Sequence, residues 1–232
     1  MNAQLMYTAI VFGHIVAGAV ALVLFWCAAL SRKGSPFHKR SGRIYLMAMV
    51  AVIITAVPLS IALFARGQPV IGTFMAYLVV LVSLTCRNSW QAVQCKRNFD
   101  AYTGAGLKLL ATAAGLAGLI VLAGGLYTGI PVLVGFGMIG PMLAWRSWKL
   151  IRNGPEGPGW WLSEHFGNMI GNGVATHIAF LQVGMVRLLP DLDLGIVQNL
   201  GWFGPLAAGA IAGIWLTKRY GRGQVATHQS IG

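Results

Sequence analysis

Seven long apolar segments separated by short basic loops restrict the fold of this chain more than any other feature. Each approaches the roughly 20 residues that an α-helix needs to cross a bilayer. A helix also satisfies its backbone amides internally, as the hydrocarbon layer demands. The sequence therefore predicts an all-α integral membrane protein with seven transmembrane helices. They are expected over Thr8–Leu30, Tyr45–Ala65, Val70–Thr85, Leu107–Leu126, Ile130–Trp145, Gly167–Val186 and Trp202–Thr217.

Composition supports a single membrane domain. The chain is 56% hydrophobic and 9% charged, whereas soluble domains have about 25% charged residues. No polar stretch is long enough to fold separately, so residues 1–220 are predicted to form one seven-helix domain. Residues 221–232 are predicted to be a mobile cytoplasmic tail. The first residues, MNAQLMYT, lack the basic stretch of a secretory signal peptide, so no cleaved leader is expected.

The distribution of basic residues predicts the orientation. Fifteen of the 17 Lys and Arg residues fall on one side of the seven predicted spans, and only Arg66 and Arg187 fall on the other. The positive-inside rule then places the N-terminus outside and the C-terminus in the cytoplasm, which requires an odd number of spans. The net charge of +12 is explained by these loops. The expected partner is therefore the lipid bilayer, and no nucleic acid is expected.

The sixth predicted span carries a polar stripe. In the stretch from Trp160 to Arg187, the side chains of His165, Asn168, Asn172 and Thr176 share one helical face. Polar side chains avoid lipid, so this helix is predicted to lie centrally in the bundle. Two interpretations remain open. The stripe joins helices by hydrogen bonds, or its histidines bind a ligand.

Four histidines are candidate ligands of a haem b or of a transition metal. His14 and His177 are predicted to meet in the outer half of the membrane, and His38 and His165 at its cytoplasmic face. Each has a simpler interpretation, as a neutral side chain that joins two helices or, for His38, as part of a solvated basic loop. Residues expected to support the ligands are Arg43, Tyr45, Glu164, Asn168 and Asn172.

Glu164 has two interpretations of its own. It is either a partner or general base beside an imidazole, or a surface carboxylate in a basic interface. We expect His165 to approach the His38–Tyr45 segment, and Arg43 to pair with Glu164. The sequence contains no Ser-His-Asp arrangement, no phosphate-binding loop and no HExxH motif, so it names no catalytic residue.

Three stretches carry a resemblance to a known family. They are GHIVAG in the first span, HKRSGRIY before the second and EHFGNMIGNGVATHIAF in the sixth. Together they resemble a family of bacterial multi-pass membrane proteins catalogued as a domain of unknown function. The resemblance implies a multi-pass protein of the bacterial cytoplasmic membrane. The matching positions are His14, His38, Gly42, Arg43, Tyr45, His165, Met169, Gly171, Ala179 and Phe180. His177 is not part of this pattern.

Three functions follow from these patterns. The first hypothesis is a haem- or metal-binding redox protein, because histidines recur on otherwise apolar helices. The second is a non-catalytic subunit of a larger membrane complex, because small residues recur at four-residue spacing and allow helices to approach closely. These pairs are Gly125 with Gly129, Gly167 with Gly171 and Gly209 with Gly213. The third is a small-molecule transporter, which rests on the polar stripe alone.

Overall fold

The computed structural model describes residues 2–155, 157–188 and 194–221. This part of the chain consists of helices joined by short loops and contains no strand. Seven helices are long, and α4 is a single turn that follows α3. A short π-helical turn, Thr217–Gly221, ends the described chain. The α-helices are α1 (Ala3–Leu30), α2 (Pro36–Ala65), α3 (Pro69–Gln94), α4 (Phe99–Tyr102), α5 (Ala105–Thr128), α6 (Pro131–Asn153), α7 (Trp160–Leu188) and α8 (Leu194–Leu216).

The all-α membrane class is confirmed. Five helical segments of the described chain are long and apolar enough to cross a bilayer, and α6 and α7 fall short of that combination of length and hydropathy. The five are Gln4–Leu30, Pro36–Ala65, Pro69–Gln94, Ala105–Thr128 and Gln198–Arg219. The seven-span count and the orientation therefore stay predictions. Except for Gly221, the predicted tail lies outside the described residues.

α2 begins earlier than predicted, and the HKRSGRIY segment is helical. Ser35 caps the helix by accepting a hydrogen bond from the His38 amide, and Pro36 occupies the first turn. Proline suits that position because its missing N–H would be unpaired there anyway. The helical period then places Ser41 and Tyr45 on the buried face of α2 and leaves Arg43 exposed.

α3 and α7 form the centre of the bundle. α3 packs against α2, α5 and α7, whereas α7 packs against α1, α3 and α8. The other extensive contacts between long helices are those within two hairpins, α1 with α2 and α5 with α6. The predicted central position of the sixth span is therefore confirmed, because α7 touches three other long helices.

Glycines bring α5 and α6 into backbone contact. A Cβ added at Gly118 would lie 2.6 Å from Pro141 Cδ, and one at Gly137 would lie 2.6 Å from the Leu122 nitrogen. The predicted pair of Gly125 with Gly129 is only half right. Gly125 does approach the Val134 nitrogen closely, at 2.7 Å from a built Cβ. Gly129 ends α5 with φ +70°, a backbone conformation that glycine adopts at little cost.

The Tyr77 hydroxyl inserts into the hydrogen-bond ladder of α6. It donates to the Phe136 carbonyl at 2.6 Å and accepts from the Gly140 amide at 2.8 Å. Those two backbone groups are an i, i−4 pair, and Pro141 follows directly. Insertion of a side chain beside a proline is a known cause of helix bending. The buried Tyr77 phenol thus ties α3 to the centre of α6.

Candidate functional site

Asn172 anchors α7 to α3. Its side chain is 0% exposed. Its Oδ1 accepts from Thr85 Oγ1 at 2.5 Å and its Nδ2 donates to Ser89 Oγ at 3.2 Å. Thr85 and Ser89 lie one turn apart on α3, so the side-chain amide of Asn172 can bond to both hydroxyls at once. A buried side-chain amide with both ends satisfied stabilises one register of the two helices.

Thr176 continues the stripe towards α2. It lies one turn after Asn172 and donates to the carbonyl of that residue at 2.9 Å. Its hydroxyl is 3.3 Å from the Tyr45 hydroxyl, and Tyr45 is fully buried. The stripe therefore connects α7 to α2 as well as to α3.

The polar stripe acts as a joint between helices. Asn168 and Asn172 are both buried and bonded to protein atoms. Neither lines the two cavities described in this chain. A transport path would have to expose these amides to water, so the geometry favours the hydrogen-bonding interpretation over the transporter.

Asn172→Ala is expected to lower the free energy of unfolding by about 1–3 kcal/mol, because it leaves Thr85 and Ser89 without their shared partner in an apolar interior. Chemical unfolding in mixed detergent micelles measures this change. Asn199→Ala, at an exposed position of α8, is the matched control and should change stability by less than about 0.5 kcal/mol. Equal effects of the two substitutions would refute the anchoring role.

Glu164 is the centre of a second polar cluster. Its carboxylate accepts from Arg146 Nη2 at 2.5 Å and from the Tyr102 hydroxyl at 2.8 Å. Burial raises the pKa of Tyr102, and the adjacent Glu164 carboxylate raises it further. The phenol therefore stays protonated and keeps donating. The cluster joins α6, α7 and the short helix α4.

The expected partners of Glu164 were wrong. Arg146, on α6, takes the place that was predicted for Arg43, and no hydrogen bond joins Glu164 to an imidazole among the described residues. Arg43 is exposed because α2 is already helical there, and residues two positions from Ser41 and Tyr45 point away from their face. Glu164 itself is buried, so it is not a surface carboxylate either.

Tyr102 and Arg146 were missed as site residues. The aromatic ring of Tyr102 packs on Trp160 with centroids 4.8 Å apart, and its carbonyl accepts from Arg87 Nη2 at 2.6 Å. Both residues lie far from Glu164 in sequence. Arg146 entered the prediction only as one of the fifteen basic residues that set the orientation. A buried carboxylate in a basic chain needs a cation, but nothing local indicates which one.

The outer histidine pair does not form. His14 Nδ1 is 2.8 Å from Thr55 Oγ1 on α2. His177 Nε2 accepts from Trp26 Nε1 at 2.9 Å, and its Nδ1 contacts the Gly173 carbonyl at 2.7 Å. Trp26 lies twelve residues after His14 on α1, which corresponds to ~18 Å along the helix. The expectation of similar depth was therefore wrong, because it ignored the axial offset between α1 and α7.

The inner histidines are each held by a backbone carbonyl of a neighbouring helix. His38 Nδ1 is 3.0 Å from the Ala28 carbonyl of α1, and His165 Nδ1 is 3.0 Å from the Ser89 carbonyl of α3. A carbonyl accepts only, so each Nδ1 must carry the proton. When such a ring is neutral its lone pair is on Nε2, and neither Nε2 takes a hydrogen bond within the described residues.

The donor set around this pair is small. No group of three or more His, Cys, Asp or Glu side chains suited to a metal ion occurs in the described part of the chain. Cys86 is buried against Asn172, at 3.5 Å from its Oδ1, and is already part of the joint between α3 and α7. His38 and His165 are thus not part of a group of three or more such ligands in the described chain.

No protein-family model, curated protein or solved structure matches this chain.

Proposed function

We propose that this chain is a seven-span protein of the bacterial cytoplasmic membrane that binds a haem or a transition metal through His38 and His165. The observation that carries the proposal is the state of the two imidazoles. Both Nδ1 atoms are held by backbone carbonyls of neighbouring helices, and both Nε2 lone pairs are free of hydrogen bonds in the described chain.

Histidines that bind metals have this arrangement. Such a ring almost always donates its second N–H to a carbonyl or a carboxylate, which sets the tautomer and the orientation of the ring. Ala28 and Ser89 supply those carbonyls from two different helices.

The number of donors favours haem. His38 and His165 would each supply one nitrogen ligand to a haem iron, whereas a structural zinc site needs four protein ligands. Third and fourth ligands are not grouped with the pair in the described chain. A bound haem would supply one-electron redox chemistry. The residues of this chain would bind its iron and set the tautomers of the ligands.

Removal of either imidazole is expected to abolish the cofactor. The wild-type protein, purified from its native host, should show a Soret band and an iron content near one per chain. His38→Ala and His165→Ala should lose both signals, because each removes one ligand. His14→Ala should keep them, since His14 is bonded to Thr55 of α2 and lies fourteen residues before Ala28 on α1. A folded, colourless and metal-free wild-type protein would rule the proposal out.

Seven spans with an outer N-terminus are supported by packing and charge. α6 pairs with α5 over its length, and α7 packs between α3 and α8, so both lie among helices apolar enough to cross a bilayer. Their lower hydropathy follows from the polar groups that they place inside the bundle. Fifteen of the 17 basic residues then lie in the cytoplasm.

Reporter fusions test this topology. A reporter after Gly232 is expected to be active in the cytoplasm, and one inserted near Asp193 is expected to be active outside. Cytoplasmic activity at both positions would mean that α8 does not span. The reverse pattern would contradict both the orientation and the seven-span count.

A further inference from the structure

A groove with an apolar floor and a basic end runs between α6 and α8. Its volume is about 720 Å³, within the range of roughly 300–1,000 Å³ that is typical of ligand sites. α3 and α7 form the floor, where Leu81, Ile170 and Val174 contribute apolar side chains. The rings of Phe136 and Trp202, 5.2 Å apart, bring α6 and α8 together at one end.

The other end of the groove is polar. Arg146, Lys149 and Asn153 lie on the last turns of α6, and Ser163 lies near the start of α7, next to the loop that joins the two helices. Arg146 follows Phe136 by ten residues of α6, which separates the polar end from the Phe136 end by ~15 Å.

The charge of this end is positive. Glu164 is the only carboxylate among the lining residues of the groove, and it is already bonded to Arg146 and Tyr102. Arg146 and Lys149 together carry two positive charges, so one remains in excess. The Arg146 side chain is 48% exposed. A guanidinium has five N–H donors, so most remain available after the bond to Glu164.

We propose that this groove binds one acyl chain of an anionic phospholipid, with the lipid phosphate at Arg146 and Lys149. The apolar floor suits the acyl chain. The excess positive charge favours a headgroup that carries a phosphate and no positive group of its own. The proposed occupant is a phospholipid of the surrounding bilayer. The proposal does not depend on a haem at His38 and His165.

Native mass spectrometry of the full-length protein tests the site. With equal amounts of phosphatidylglycerol and phosphatidylcholine of the same acyl chains, one phosphatidylglycerol should be retained preferentially. Lys149→Gln should weaken its retention by about five-fold, because one basic residue near an anionic headgroup contributes about 1 kcal/mol. Arg152→Gln is the matched control, since Arg152 also lies near the end of α6 but does not line the groove.

A second variant tests the groove itself. Ala210 lies on its wall, and Ala210→Trp should exclude the acyl chain while leaving both cations in place. Equal losses for Lys149→Gln and Arg152→Gln would overturn the proposal, as would equal retention of the two lipids. A folded Ala210→Trp protein that keeps its lipid would overturn it too. Displacement by soluble glycerol phosphate, or a dimer that Ala210→Trp disrupts, would assign the groove to a different occupant.

Discussion

Gly140→Ala is expected to destabilise the bundle by about 2–4 kcal/mol, or to prevent folding. The added methyl would overlap the Ala114 carbonyl of α5 and contact the Tyr77 ring at 3.0 Å. Both neighbours are constrained, because the first is backbone and the second bridges the Gly140 amide to the Phe136 carbonyl. The free energy of unfolding in mixed detergent micelles measures the effect.

Gly124→Ala provides the matched control. Gly124 lies on α5, in the same pair of helices, but a Cβ there would meet no atom within 4 Å. Alanine is a better helix former than glycine, so this change should be neutral or stabilising by up to about 1 kcal/mol. If both substitutions had the same small effect, α5 and α6 would not be in backbone contact.

Glu164→Ala is expected to cost about 2–3 kcal/mol. Removing one partner of a buried ion pair typically costs about 3–5 kcal/mol, but the Arg146 side chain is 48% exposed and water relieves part of the loss. The buried Tyr102 hydroxyl also loses its acceptor. We expect lower thermal stability in detergent, together with earlier proteolysis of the segment that contains α4.

Two variants distinguish this cluster from a general effect of charge. Asp100→Ala removes an exposed acid from the adjacent α4 and should change stability by less than about 0.5 kcal/mol. Arg146→Ala combined with Glu164→Ala should cost less than the sum of the single changes, because the two residues form one interaction. Strict additivity would mean that the pair contributes nothing.

Glycine contacts illustrate why pairing is hard to predict. Four-residue spacing singled out Gly167 and Gly171, yet a Cβ at either position would make ordinary contacts at 3.5 Å or more. The closest approaches to the backbone of a neighbouring helix occur at Gly137 and Gly140, which are three residues apart on α6. Spacing indicates that close packing is available to a helix, but the rotation of its neighbour determines which glycines are used.

The helical membrane class, the central position of α7 and the buried face of its polar stripe are determined by the sequence alone. Segment length and helical periodicity are local properties, and they indicate these features without knowledge of neighbours. Tertiary structure decided which polar groups meet. Arg146 rather than Arg43 reached Glu164, and His177 met Trp26 instead of His14. Helices slide and rotate against one another until their side chains pack, so axial offset and rotation emerge only from the assembled bundle.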